Sequence, residues 1–255
     1  MKAQAFLFYI VFSILVSAQP VTFEMKTFEK VYNGKNGNKD SLFVFKITYP
    51  EFTGKDGFVI SAIKMNENVS NLTMGQKEGE SLMEQFNSMV AFISEEEDSS
   101  WFFGNWSFTT QITPVMITDD IMTFYFSHDE YMGGAHPNYF MGALNFLVKT
   151  GEEITFDQIF KPGAKEELNR MGEIIVRKER EIPANQTLSD YGYWFENDKF
   201  ELNENFSISH DAITFTFNPY EVGPYAIGPT DVKFPWSSVK HLVKADGPLA
   251  KLAGK

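Results

Sequence analysis

Leu42-Phe43-Val44-Phe45-Lys46-Ile47-Thr48-Tyr49 alternates strictly: Phe43, Phe45, Ile47 and Tyr49 fall on one side, and Leu42, Val44, Lys46 and Thr48 on the other. A strand turns successive side chains to opposite faces, so one face of this segment is apolar and aromatic and belongs against a core. Upstream, Asn33-Gly34-Lys35-Asn36-Gly37-Asn38 is dense in residues that tolerate positive φ, and Val21–Tyr32 before it has strand composition. Together they predict a hairpin.

Downstream the period changes. Between Glu80 and Ile93, Leu82, Phe86, Met89, Val90 and Ile93 recur at the spacing of an amphipathic helix packed on a sheet. The acidic run Glu95-Glu96-Glu97-Asp98 sits badly with the helix dipole and is expected as a solvated exit. Trp101–Thr113 and Val115–Thr118 return to strand composition, and Asp119-Asp120 predicts a turn into Ile121–Ser127. Phe140–Val148 reads as the next strand. A second helical stripe, Leu168, Met171, Ile174 and Ile175, starts after Pro162-Gly163 and ends near Pro183.

In the last third, Phe206–Ser209 and Ala212–Phe217 flank a His210-Asp211 turn, and Asp231–Phe234 is a short strand before a C-terminal helix expected from Ser237. Hairpin strands interrupted by helices predict an α+β fold with antiparallel hairpin-rich sheets and two or three packed helices.

Lys2, an apolar stretch from Ala5 to Val16 and the small residues Val16-Ser17-Ala18 predict a signal peptide over residues 1–18, cleaved before Gln19. A bilayer span needs about 20 apolar residues, so the mature chain is expected without a membrane span, periplasmic or secreted. The sequence has no cysteine, which excludes acylation on cysteine, disulfides and thiolate metal sites. Stability then rests on the core, for which 43% apolar residues and 26 phenylalanines are ample. The net charge of −12 becomes −13 once Lys2 is removed. An acidic surface disfavours nucleic acid and favours a cationic partner.

No Gly-x-Ser-x-Gly elbow or Gly-rich phosphate loop occurs, and no catalytic residue, cofactor or metal site is assigned. The cluster closest to a metal or hydrolytic site is His128, Asp129, Glu130 and His136, whose spacing fits no helical ligand motif. Two loops are better specified. Gly133-Gly134-Ala135-His136-Pro137-Asn138 has two permissive glycines, and Asn218-Pro219-Tyr220-Glu221-Val222-Gly223-Pro224-Tyr225-Ala226-Ile227-Gly228 mixes rigid prolines with two tyrosines. Both follow aromatic strands and are expected to meet, with His136 clasping the opposing backbone. The candidate ligand residues are Gly133, Gly134, His136, Pro137, Asn218, Tyr220, Glu221 and Tyr225.

The stretch from about Val115 to Val243 also resembles a bacterial extracytoplasmic domain of largely unknown function. The likeness rests on Tyr131–Asn138, Asn145-Phe146, Thr150-Gly151, Phe156–Phe160, Phe215–Gly228 and Val232–Pro235 in that order. The same domain type forms the outer part of the lysozyme-sensing anti-sigma factor RsiV and precedes the catalytic domain of the peptidoglycan deacetylase PdaC. The resemblance implies an α+β recognition module over 115–255, a weaker companion region over 19–114, and a cationic partner such as lysozyme. Thr118-Asp119-Asp120 resembles the deacetylase's acidic motif, but no His-x-x-x-His follows. The expected function is an exported, non-enzymatic envelope-binding module; the alternatives are a cell-wall-directed hydrolase with a His/Asp/Glu site and a structural module without a ligand.

Overall fold

A computed structural model of the protein describes residues 19–37, 41–73, 80–102 and 104–254. The expected leader at residues 1–18 lies outside them. The chain has mixed α and β structure with two sheets, one of strand order β1-β2-β3-β4-β5 and one of order β6-β7-β8. It divides into two compact units, each described by itself: residues 1–113 with 126–139 and 149–151, and residues 114–125 with 140–148 and 152–255.

In the first unit, β1 (Val21–Tyr32) and β2 (Phe43–Gly54) form the predicted hairpin, antiparallel from Val21 opposite Gly54 to Tyr32 opposite Phe43. Phe43, Phe45 and Ile47 are buried, so the alternation selects the core face as expected. The next strand, β3 (Trp106–Ile117), departs from a pure hairpin pattern: it pairs with β2 in parallel, Phe43 opposite Trp106. A parallel neighbour needs a long crossover, supplied here by two helices, α1 (Val59–Thr73) and α2 (Leu82–Glu96).

Helix α2 is the predicted stripe. Ser81 caps it: its Oγ accepts from Glu84 N–H at 3.3 Å, and its own N–H donates to Glu84 Oε2 at 2.8 Å. Leu82 and Ile93 are buried, while Phe86, Met89 and Val90 are half-buried against Phe43, Phe45 and Trp106. Phe86 stacks on Phe43 with ring centroids 6.0 Å apart.

The acidic run ends differently from expectation. The helix continues to Glu96, and Glu97 is buried, accepting from Tyr32 Oη at 2.9 Å and Lys35 N–H at 3.1 Å. Loss of hydration and the adjoining Glu97 carboxylate push the Tyr32 phenol up to about 12. Glu97 therefore ties the hairpin to the end of α2.

In the second unit, β6 (Phe206–Ile208), β7 (Ala212–Phe217) and β8 (Thr230–Pro235) pair antiparallel around the predicted His210-Asp211 turn. The strands pack with the second stripe, now α4 (Ala164–Glu179), following a one-turn α3 (Phe156–Ile159). Leu168, Gly172 and Val176 are buried, whereas Ile174 is 55% exposed and does not belong to the inner face. Gly172 has a steric reason: a Cβ there would sit 2.6 Å from the Phe200 ring. The C-terminal helix expected from Ser237 is only α5 (Trp236–Val239), followed by a 3-10 turn and a short α6 (Ala250–Ala253). The third substantial helix is instead α1.

Of the two strands that complete the five-stranded sheet, β4 (Ile121–Tyr131) follows the Asp119-Asp120 turn and β5 (Asn138–Leu147) carries Asn145. That amide is buried and bonded at both ends: Oδ1 accepts from Thr123 Oγ1 at 3.2 Å and Ile208 N–H at 3.1 Å, and Nδ2 donates to Phe206 O at 2.7 Å. A buried amide bonded through both its oxygen and its nitrogen fixes one arrangement.

Candidate functional site: an aromatic ledge and a diglycine loop

The eight candidate ligand residues fall into two groups. Asn218, Tyr220, Glu221 and Tyr225 lie together in the second unit; Gly133, Gly134, His136 and Pro137 lie together in the first.

Asn218 ends β7 and opens a tight turn in which Glu221 N–H donates to Asn218 O at 3.1 Å. Pro219 presets the first central position, and the second, Tyr220, has φ of 68°. Glycine is the usual occupant of such a position, because a side chain there crowds the backbone. Tyr220 is nevertheless 54% exposed, with its ring 5.7 Å from that of Tyr225.

The polar residues of this turn brace it. Asn218 is buried and grips Met141, accepting from its N–H at 2.7 Å and donating to its carbonyl at 3.0 Å. Glu221 accepts from Asn218 N–H at 2.8 Å and from Asn203 Nδ2 at 2.7 Å. Asn218 and Glu221 thus act as struts, and the surface they support is aromatic.

One further ring belongs to that surface and escaped sequence reasoning. Trp194 is 51% exposed, and its main chain and side chain both bond the turn: its N–H donates to Val222 O at 3.0 Å and its Nε1 to Glu221 O at 3.1 Å. With its polar atom occupied, the indole offers solvent its flat faces. Tyr191, three residues earlier, is also exposed. The signal in the sequence was Tyr191-Gly192-Tyr193-Trp194, large aromatics inside an otherwise polar loop. The same loop carries exposed Asp190, Glu196, Glu201 and Glu204 against one exposed cation, Lys199.

In the first unit, Gly133 and Gly134 have φ of 88° and 105°, which only glycine adopts readily. Tyr131 Oη donates to Gly134 O at 3.1 Å and holds the loop. His136 Nδ1 lies 2.9 Å from the carbonyl of its neighbour Pro137.

The His128 cluster has a specific geometry. Nδ1 is 3.0 Å from Thr110 Oγ1, Nε2 is 3.7 Å from Glu130, and the Phe108 ring meets the imidazole edge-on at 4.3 Å. Burial lowers the pKa of His128, partly opposed by Glu130. A hydroxyl, an imidazole and a carboxylate in series have the outline of a nucleophilic triad. Thr110, however, is only 3% exposed, so a substrate reaches its oxygen only if the side chains around it move. Among the described residues, no three His, Asp or Glu side chains converge as metal ligands.

Residues 157–237 match the family described as "Protein of unknown function (DUF3298)", and residues 36–139 match the family described as "Deacetylase PdaC". Esterase Rv3036c of Mycobacterium tuberculosis is 30% identical over 112 residues, 44% of this chain and 47% of that protein. The chain thus spans about half the length of this curated relative. Two solved DUF3298-family proteins share the fold. One, from Bacteroides fragilis, has a TM-score of 0.67 at 19% identity and covers 93% of this chain and 100% of its own; the other, from Pseudomonas aeruginosa, scores 0.62 at 16% identity and covers 89% and 94%. These matches support an uncharacterised DUF3298-type domain.

Proposed function

We propose that the protein is an exported module of the bacterial envelope that binds a partner on the aromatic ledge of Tyr220, Tyr225 and Trp194. The observation that carries this reading is Tyr220: a bulky residue in the left-handed region, more than half exposed, on a turn braced by partly buried hydrogen bonds. Strain retained under an exposed ring is a sign that the ring is used. Tryptophan and tyrosine held by rigid loops are also the residues that dominate protein recognition sites.

The partner we infer is a cationic protein. Exposed Asp190, Glu196, Glu201 and Glu204 beside the ledge and the overall charge of −12 attract one, and aromatic faces accept ammonium and guanidinium groups. Resemblance to the outer domain of RsiV makes lysozyme the first partner to try. On this reading residues 1–18 are a leader, residues 19–114 the companion region and 115–255 the recognition domain. The test is binding of lysozyme, and of envelope proteins, to the purified protein at low and high salt. Retention that weakens with salt supports the reading, and no retention at low salt removes it.

A second reading is hydrolysis of an ester or amide of cell-wall material, favoured by the relative named an esterase and by the Thr110–His128–Glu130 series. A chromogenic acetate ester tests it. Turnover lost in Thr110→Val and His128→Gln would favour catalysis, and turnover indifferent to both would exclude this site.

A further inference from the structure

Strand β1 forms one edge of the five-stranded sheet and pairs with β2 alone. Which of its main-chain groups point away from the sheet follows from the β2–β3 pair. Trp106 N–H donates to Leu42 O at 3.0 Å, so even-numbered positions of β2 turn their N–H and C=O groups to β3 and odd-numbered ones to β1. Pro50, which has no N–H to give, sits at an even position and leaves the hairpin ladder whole. The partners of the odd β2 positions are the even β1 positions, from Tyr32 opposite Phe43 to Thr22 opposite Thr53. Met25, Thr27, Glu29 and Val31 therefore present their N–H and C=O groups to the open side. Among the described residues nothing hydrogen-bonds to those main-chain groups there.

The sheet's other edge is closed off at Met141 on β5, whose N–H and C=O are held by Asn218 and whose C=O also accepts from Asn205. Strand β1 has no such strut. It contains no proline, and its register with β2 runs unbroken, without a bulge. Of the features that keep an edge strand from pairing, only its charges remain.

Those charges admit one pairing of β1 with another β1. Antiparallel strands related by a two-fold axis normal to the sheet keep each residue on its own face, so the axis passes through a residue. With the axis at Thr27, Glu24 stands opposite the partner's Lys30 and, by symmetry, Lys30 opposite the partner's Glu24. The same register sets Phe23 against the partner's Val31, Lys26 against the partner's Phe28 ring and Thr27 against the partner's Thr27, all favourable cross-strand pairs. Moving the axis to Lys26 sets that lysine against itself, and moving it to Phe28 sets Lys26 against Lys30. Axes further out shorten the ladder. Both members of the decisive pair have capacity to spare. Lys30 Nζ lies over the Phe28 ring at 5.9 Å and has no carboxylate partner among the described residues. Glu24 holds Lys26 through Oε2 alone and is 43% exposed.

We infer that β1 is a homodimerisation edge, on which two copies of this chain join β1 to β1, antiparallel and centred on Thr27. Any extended segment could satisfy the main chain, but Glu24 and Lys30 are complementary to their own reverse about Thr27, and a second copy supplies that pattern. Each chain uses this edge once, so assembly stops at two. The edge belongs to the first unit and does not depend on the ledge carried by the second.

The experiment is sedimentation equilibrium of the purified protein over a range of concentrations. Physiological ionic strength suits it, because the screening length of about 8 Å weakens the general repulsion between two acidic chains while sparing contact pairs. The mass should rise from one chain to two and go no further. Glu24→Lys and Lys30→Glu each turn two attractions into two repulsions, and each should weaken the dimer by about tenfold or more. An equimolar mixture of these two variants restores both pairs between unlike chains and should associate as tightly as the native protein. Thr27→Pro removes an outward N–H without touching the β1–β2 ladder, so it should stay folded by circular dichroism and remain a single chain. A native protein that stays a single chain at the highest concentration would overturn the inference. So would dimerisation indifferent to both charge reversals, or a mixture of the two variants no tighter than either alone.

Discussion

Asn218 holds Met141 at both of its main-chain polar groups, through bonds of 2.7 Å to the N–H and 3.0 Å to the carbonyl. Asn218→Ala removes both, and leaves the Met141 N–H without its partner while the carbonyl keeps its bond from Asn205 Nδ2 at 2.9 Å. An N–H left unsatisfied costs about 1–3 kcal/mol, so the variant should be less stable by about 1–3 kcal/mol in urea unfolding. The folded fraction should bind partners with unchanged affinity. Unaltered stability with lost binding would return Asn218 to the ligand surface.

Phe45 and Phe86 separate a core position from a flanking one. Phe45 is 1% exposed, whereas Phe86 is only half-buried against Phe43 and Phe45. Phe45→Ala should cost about 3–5 kcal/mol, and Phe86→Ala about 1–3 kcal/mol because its ring is only partly enclosed. Denaturant midpoints of the two variants decide the order. Equal costs would show that α2 is more deeply buried than its exposure indicates.

What the sequence revealed follows from which signals are periodic. The β1–β2 hairpin, the Asp119-Asp120 and His210-Asp211 turns, and the helices α2 and α4 were readable because alternation, turn residues and apolar spacing agree. Helix α1 was not. Its buried positions are Ser61, Ala62, Met65, Val69 and Thr73, while Val59, Ile60 and Ile63 are 45–66% exposed, so the apolar residues mark the wrong face. Missing α1 hid the crossover and with it the parallel β2–β3 pair. At the candidate site the Pro/Tyr loop was legible as a specified segment. Trp194 was not, because its link to Glu221 joins residues 27 positions apart. Glu97 was read as solvated because its partners, Tyr32 and Lys35, lie more than 60 residues earlier.

His128 makes stability depend on pH. Burial against Phe108 favours the neutral ring, so the folded state holds its proton less tightly than the unfolded chain, whose imidazole titrates near 6.5. The stability contributed by the neutral ring is complete above that value and is lost as pH falls through the lower, folded value. Urea midpoints measured from pH 7.5 down to pH 5 should fall below about 6.5, and His128→Gln should flatten that fall. A fall of the same size in the variant would place the titration elsewhere.

Tyr220 carries the central claim, and Tyr220→Gly tests it most directly. The left-handed conformation costs a tyrosine about 1–2 kcal/mol, and glycine gives back about 0.5–1 kcal/mol through the freedom it loses on folding. The variant should therefore remain within about 1 kcal/mol of the native stability. Its affinity for lysozyme, or for the envelope partner retained in its place, should drop at least tenfold when both proteins are measured side by side at low salt. Unchanged affinity together with unchanged stability would show that the exposed ring serves no partner and would contradict the account.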